Sequence, residues 1–76
     1  MIASPSPQAI AIRPDNAEAY YNRGLLYQID GQHKQAIEDF NQAIQLSPEN
    51  GAVYNNRGNA LMDLGHPEEA LKDFDR

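Results

Sequence analysis

Apolar residues recur at helical spacing between residues 33 and 46. They fall at i, i+1, i+4, i+7 and i+8, which places them on one face of a helix. These residues are Ala36, Ile37, Phe40, Ala43 and Ile44. The pattern predicts a helix from about residue 33 to residue 46, and Pro48 prevents it from continuing.

Another helix is predicted just before it, from residue 15 or 16 to residue 30. Asn16 is a suitable N-cap, and Gly31 supplies the left-handed conformation with which helices often end. Tyr20, Gly24 and Tyr27 recur at spacings of four and three and form one face. Because Gly24 has no side chain, it allows another helix to approach this face closely.

The two helices are predicted to form an antiparallel hairpin, because only residues 31–32 separate them. Counting outward from the turn puts Tyr27 level with Ala36, and Gly24 level with Phe40. The small residue on each helix would then receive the large residue opposite.

The hairpin pattern repeats at an offset of 34 residues. Residues 14–42 laid over residues 48–76 give ten identities without a gap. The identical pairs are Pro14/Pro48, Asn16/Asn50, Tyr20/Tyr54, Asn22/Asn56, Arg23/Arg57, Gly24/Gly58, Gly31/Gly65, Ala36/Ala70, Asp39/Asp73 and Phe40/Phe74. This register predicts a third helix over about residues 50–64 and a fourth that begins at residue 67. A fixed period of this length indicates stacked repeats.

The period and its residue types resemble the tetratricopeptide repeat family. The residues that carry the resemblance are Tyr20, Gly24, Tyr27, Ala36, Phe40, Ala43 and Pro48, followed by Tyr54, Gly58, Leu61, Ala70 and Phe74. The resemblance implies an all-α fold, in which antiparallel helix-turn-helix repeats stack as a right-handed α-solenoid. It divides residues 8–76 into the tail of a preceding repeat (8–14), a first motif (15–48) and a second motif (49–76) truncated in its second helix. Residues 1–7 contain two Ser-Pro pairs and are predicted to be a disordered leader.

The chain departs from the resembled family at Arg23 and Arg57, where leucine is usual. A bare charge near a helix interface would be costly. Asp39 and Asp73 repeat with the arginines, and antiparallel geometry puts Asp39 level with Arg23. We expect each arginine to lay its stem on the core and to pair with one of these aspartates, in its own or the adjoining repeat. The functional alternative is an anion clamp.

In the resembled family, first helices line a concave groove that holds an extended peptide or a partner's helix. The groove residues predicted here are Tyr21, Asn22, Leu25, Gln28, Asn55, Asn56, Asn59 and Met62. Asn22 and Asn56 repeat, and a primary amide can both donate to and accept from a peptide backbone. The alternative is that these asparagines bond within the scaffold.

The charge of the chain narrows the class of partner. Family members that clamp the acidic C-terminus of a chaperone use lysine and asparagine where this chain has Tyr21 and Leu25. The net charge is −5 and the six basic residues are scattered, which disfavours nucleic acid. We therefore expect a neutral or basic protein or peptide as the partner.

Catalytic and metal sites are not indicated by the sequence. There is no cysteine, and His33 and His66 lack the partners of a metal site. No serine is combined with a histidine and an acid, and there is no glycine-rich phosphate loop. We predict a non-enzymatic protein without a cofactor. No signal peptide or membrane-length apolar run is present, so we expect a cytoplasmic protein without a membrane partner.

Residues 9–76 comprise two whole periods that begin and end within a second-type helix. The segment 9–13 matches what would follow residue 76 in an uninterrupted array. Such arrays usually need about three repeats and polar caps. Two interpretations stay open: a fragment of a longer array, or chains that associate through their open ends as a homo-oligomer. The alternative function is thus a structural self-assembly module whose main partner is its own copy.

Overall fold

A computed structural model describes residues 15–75, which form four helices and, within that range, no strand. The helices are α1 (Ala17–Ile29), α2 (His33–Leu46), α3 (Gly51–Asp63) and α4 (Pro67–Phe74). The predicted leader (1–7) and the predicted tail of a preceding repeat (8–14) lie outside the described residues, as does residue 76.

The same local chemistry sets the helix ends in both repeats. The side chain of Asn16 accepts a hydrogen bond from the Ala19 amide (3.0 Å), and that of Asn50 accepts one from the Ala52 amide (3.1 Å). Each asparagine therefore caps a helix that starts one residue later. After α1 and α3 the chain turns through Gly31 (φ 80°) and Gly65 (φ 85°), a conformation that costs glycine little.

Close helix contact within each hairpin depends on a glycine facing a phenylalanine. A Cβ atom at Gly24 would lie 2.6 Å from Phe40 Cε1, and one at Gly58 would lie 2.7 Å from Phe74 Cε1. Real Cβ atoms do not approach a ring carbon this closely, so both glycines are required by packing. The expected pairing of Gly24 with Phe40 is therefore present, and Gly58 pairs with Phe74 in the same way in the second repeat.

The core runs between the repeats as well as within them. Its buried members are Tyr27, Ala36, Phe40, Ala43, Val53 and Ala60. Val53 and Ala60 lie on α3, so the second repeat closes the core of the first. α2 packs on α3, and α1 also contacts α3. The described chain is therefore a stack of antiparallel helical hairpins, the all-α repeat architecture predicted from the sequence.

Candidate partner-binding surface

An arginine–aspartate pair joins the two helices of each hairpin. Arg23 donates from Nε and Nη2 to the two carboxylate oxygens of Asp39, at 2.7 and 2.8 Å. Arg57 does the same with Asp73, at 2.8 and 2.7 Å. Both aspartates are buried, and two parallel hydrogen bonds of this kind are strong and directional. The hydrogen bonds to the aspartates raise the pKa of both arginines above its ordinary value, against a smaller opposing effect of burial.

The guanidinium groups of both arginines also lie over tyrosine rings. The guanidinium carbon of Arg23 lies 5.9 Å from the ring centre of Tyr20 and 5.7 Å from that of Tyr27. The guanidinium carbon of Arg57 lies 5.3 Å from the ring centre of Tyr54. Arginine at these positions thus combines packing on the tyrosine rings with a paired charge. This combination explains how the chain accommodates a charge where related repeats have leucine.

Two of the predicted groove residues, one from each repeat, are hydrogen-bonded to each other, because α1 and α3 are in contact. Asn56 Nδ2 donates to Tyr21 Oη (2.8 Å), which joins the two helices directly. The same nitrogen also donates to the Ala52 carbonyl oxygen (2.9 Å). We call the surface defined by the eight predicted groove residues on α1 and α3 the α1–α3 surface.

A polar cluster joins the C-terminal ends of α1 and α3. Gln28 Nε2 donates to Asp63 Oδ2 (2.8 Å), and Gln28 Oε1 lies 2.7 Å from His33 Nδ1. His33 Nδ1 is also 3.8 Å from Asp63 Oδ2. Gln28 therefore links the first hairpin to the second. The sequence pattern predicts only that a helix begins near His33. It carries no signal for this cluster, because the Gln28–Asp63 bond depends on how α1 and α3 are rotated against each other.

The eight predicted groove residues divide into two kinds. Tyr21, Leu25, Gln28 and Asn56 are half-buried, and Tyr21 and Leu25 pack against the core. The exposed ones are Asn22, Asn55, Asn59 and Met62. The surface thus combines four half-buried side chains, which we call its floor, with three exposed asparagine amides and one exposed methionine.

A metal site or a membrane span finds no support in residues 15–75. These residues contain no group of three or more His, Asp or Glu side chains that could hold a metal ion. None of the helices in that range is both long and apolar enough to cross a membrane.

Comparison with known proteins places the chain in a family. Two sequence models of the tetratricopeptide repeat match it, one over residues 17–50 and the other over residues 40–72. Together these matches cover most of the chain. The chain belongs to the tetratricopeptide repeat family. The motif boundaries 15–48 and 49–76 stay predictions, since the two matches overlap.

A solved structure is similar to this tetratricopeptide repeat chain. The crystal structure of MamA superposes with a TM-score of 0.78, at 36% sequence identity over 80% of this chain. The match spans 36% of the MamA chain, so this chain corresponds to about a third of that protein. No curated protein matched the sequence. Tetratricopeptide repeats are typically non-catalytic interaction modules, and family membership supports a general role as a protein-interaction scaffold.

Proposed function

We propose that the α1–α3 surface binds a protein segment, either an extended peptide or a partner's helix. The observation that carries the proposal is the exposure of Asn22, Asn55 and Asn59 beside a floor of half-buried side chains. An extended peptide has N–H and C=O groups that need partners, and a primary amide serves both. The exposed Met62 adds a flexible apolar contact.

The two repeated asparagines do not have the same role in this proposal. Both Asn56 bonds from Nδ2 go to the scaffold, one to Tyr21 Oη and one to the Ala52 carbonyl. This geometry supports the alternative that Asn56 is a structural residue. Asn22 is exposed at the equivalent position of α1 and is the better candidate for a direct peptide contact.

The charge of the surface favours a neutral or basic segment. Glu18 on α1 and Asp63 on α3 lie at helical spacing from the predicted groove residues of the same helix. The chain as a whole carries a net charge of −5. An acidic partner would meet like charge and associate more slowly. We propose a cytoplasmic, non-enzymatic module whose partner is a protein and not a nucleic acid.

The test is peptide binding by fluorescence anisotropy, with an array of unstructured peptides of graded net charge. The proposal predicts binding of neutral or basic peptides and weakening by Asn22→Ala of about threefold to tenfold, the effect of one or two hydrogen bonds. The control is Gln45→Ala, which removes an exposed amide from α2. Equal binding by both variants, or preference for acidic peptides, would refute the proposal.

The second candidate function is self-assembly through exposed repeat surfaces. Phe40 is 0% exposed, whereas the equivalent Phe74 is 41% exposed. Leu71 is 63% exposed, and its equivalent Ile37 is half-buried. Apolar residues grouped in this way on a small chain favour an interaction site. Self-association would appear as a molecular mass that rises with protein concentration.

A further inference from the structure

The dipeptide Asn50-Gly51 at the start of α3 combines an asparagine with an unhindered neighbour. It is the one place in the sequence where glycine follows asparagine. The side-chain amide of an asparagine can be attacked by the backbone nitrogen of the next residue, and a side chain on that residue hinders the attack. Glycine has no side chain and leaves its nitrogen open. The equivalent cap of α1 is Asn16-Ala17, in which the second residue carries a methyl group.

The Asn50 side chain and the Gly51 backbone belong to one tight turn. Asn50 Oδ1 accepts a hydrogen bond from the Ala52 amide at 3.1 Å, and the ring of atoms that this bond closes includes the Gly51 nitrogen. In α1 the equivalent bond reaches one residue further, because Asn16 Oδ1 accepts from the Ala19 amide. The Asn50 carbonyl group is therefore held in a shorter loop than its counterpart in the first repeat.

Both reacting groups are open to water and base. Asn50 and Gly51 are exposed, and a Cβ atom on Gly51 would meet nothing within 4 Å beyond its chain neighbours and its own helix backbone. Within residues 15–75 the Gly51 N–H has no hydrogen-bond acceptor, as is usual at the first residue of a helix. The cap bond of Asn50 is itself exposed, so water can replace it and free the side chain.

We infer that Asn50 is the deamidation site of the chain. The Gly51 nitrogen loses its proton to a base and bonds to Asn50 Cγ, while the Cγ–Nδ2 bond breaks and ammonia leaves with a proton. The product is a five-membered succinimide ring. Water then opens the ring at either carbonyl: attack at Cγ gives aspartate, and attack at the backbone carbonyl of residue 50 gives isoaspartate. Overall, one water is consumed and one ammonia is released.

The two products should affect α3 differently. Aspartate at position 50 keeps the cap and adds a negative charge at the positive end of the helix, which is favourable. In isoaspartate the chain runs through the side-chain carbons and is one methylene group longer. The backbone carbonyl of residue 50, which accepts from the Val53 amide at 3.2 Å, becomes a free carboxylate. Because Val53 is buried in the core, isoaspartate should loosen the start of α3.

The site is tested by ageing the 76-residue chain in mildly alkaline buffer and locating the mass gain of deamidation by tandem mass spectrometry of its peptides. Asn16 is the reference within the same chain, because it is also an exposed helix cap. Deamidation at Asn50 should be faster than at Asn16 by about tenfold or more, since no side chain hinders the attacking nitrogen. Similar rates at the two positions would overturn the inference.

The variant Gly51→Ala isolates the contribution of the glycine. The added methyl group has space at this position, and circular dichroism checks that the variant stays folded. Deamidation at position 50 should slow by about tenfold or more, to a rate like that of Asn16. A variant that deamidates at position 50 as fast as the wild type would refute the assignment of the reactive pair.

The effect of isoaspartate on α3 is measured on a chemically synthesised 76-residue chain with isoaspartate at position 50. Its matched control is Asn50→Asp, which has the same atoms and the same charge. Urea unfolding should show a lower midpoint for the isoaspartate chain than for Asn50→Asp, whereas Asn50→Asp should unfold at the same urea concentration as the wild type or a higher one. Equal midpoints for the two isomers would contradict the proposed loosening of α3.

Discussion

Arg23 and Arg57 occupy positions where leucine is usual in the repeat family, and each both packs on tyrosine rings and pairs with a buried aspartate. The guanidinium of each arginine neutralises an aspartate of the same hairpin. A buried ion pair is not by itself strong evidence of stability, because desolvation offsets much of the attraction. Loss of one partner is nevertheless costly, since the other charge remains buried without compensation.

The variant Arg57→Leu should lower the free energy of unfolding by about 1–3 kcal/mol, because Asp73 loses both of its hydrogen-bond donors. Chemical denaturation measures the change. Replacing both residues with leucine should recover most of the loss. Lys34→Leu, which removes an exposed positive charge from α2, is the control and should have little effect. A more stable Arg57→Leu variant would show that the pair is dispensable.

The two interior glycines should respond differently to alanine. Gly24→Ala places a methyl group against the buried ring of Phe40 and should destabilise the chain by about 1–3 kcal/mol, despite the better helix propensity of alanine. Gly58→Ala should cost less, because the facing Phe74 is partly exposed and its ring can move. Thermal unfolding of both variants makes the comparison. Equal losses would contradict the role assigned to ring mobility.

At the scale of helices, the pairing of α1 with α3 decides which amides remain available to a partner. Asn56 uses its nitrogen to join the two helices, whereas Asn22, one repeat earlier, remains exposed. The asparagine is thus hydrogen-bonded to the scaffold in the second repeat and exposed to solvent in the first. The α1–α3 surface is accordingly asymmetric between its two repeats.

Tyr21→Phe should lower the free energy of unfolding by about 0.5–1.5 kcal/mol, because it removes the hydroxyl acceptor of Asn56 and leaves the ring in place. The matched control on the same surface is Asn59→Ala, which changes an exposed residue and should leave stability nearly unchanged. Denaturant titration of both variants provides the measurement. If Tyr21→Phe is as stable as the wild type, the bond contributes little to joining α1 and α3.

At the scale of the whole molecule, the repeat register predicted the fold well. The glycines and asparagines that punctuate the helices recur at one period, so helix positions and the all-α repeat stack followed from the sequence. The partners of the surface side chains did not follow as readily. The Tyr21–Asn56 and Gln28–Asp63 bonds join residues 35 apart, and they depend on how α1 and α3 are rotated against each other. The sequence therefore identified candidate groove residues but could not separate the exposed amides from those held in the scaffold.

The most direct test of peptide binding by the α1–α3 surface is a two-dimensional amide NMR titration of the chain with a neutral or basic peptide from the array. We predict that the side-chain amide signals of Asn22, Asn55 and Asn59 shift with increasing peptide, while that of Gln45 on α2 stays in place. Shifts confined to α2 and α4, with the three asparagine signals unchanged, would contradict the proposal that this surface binds the partner.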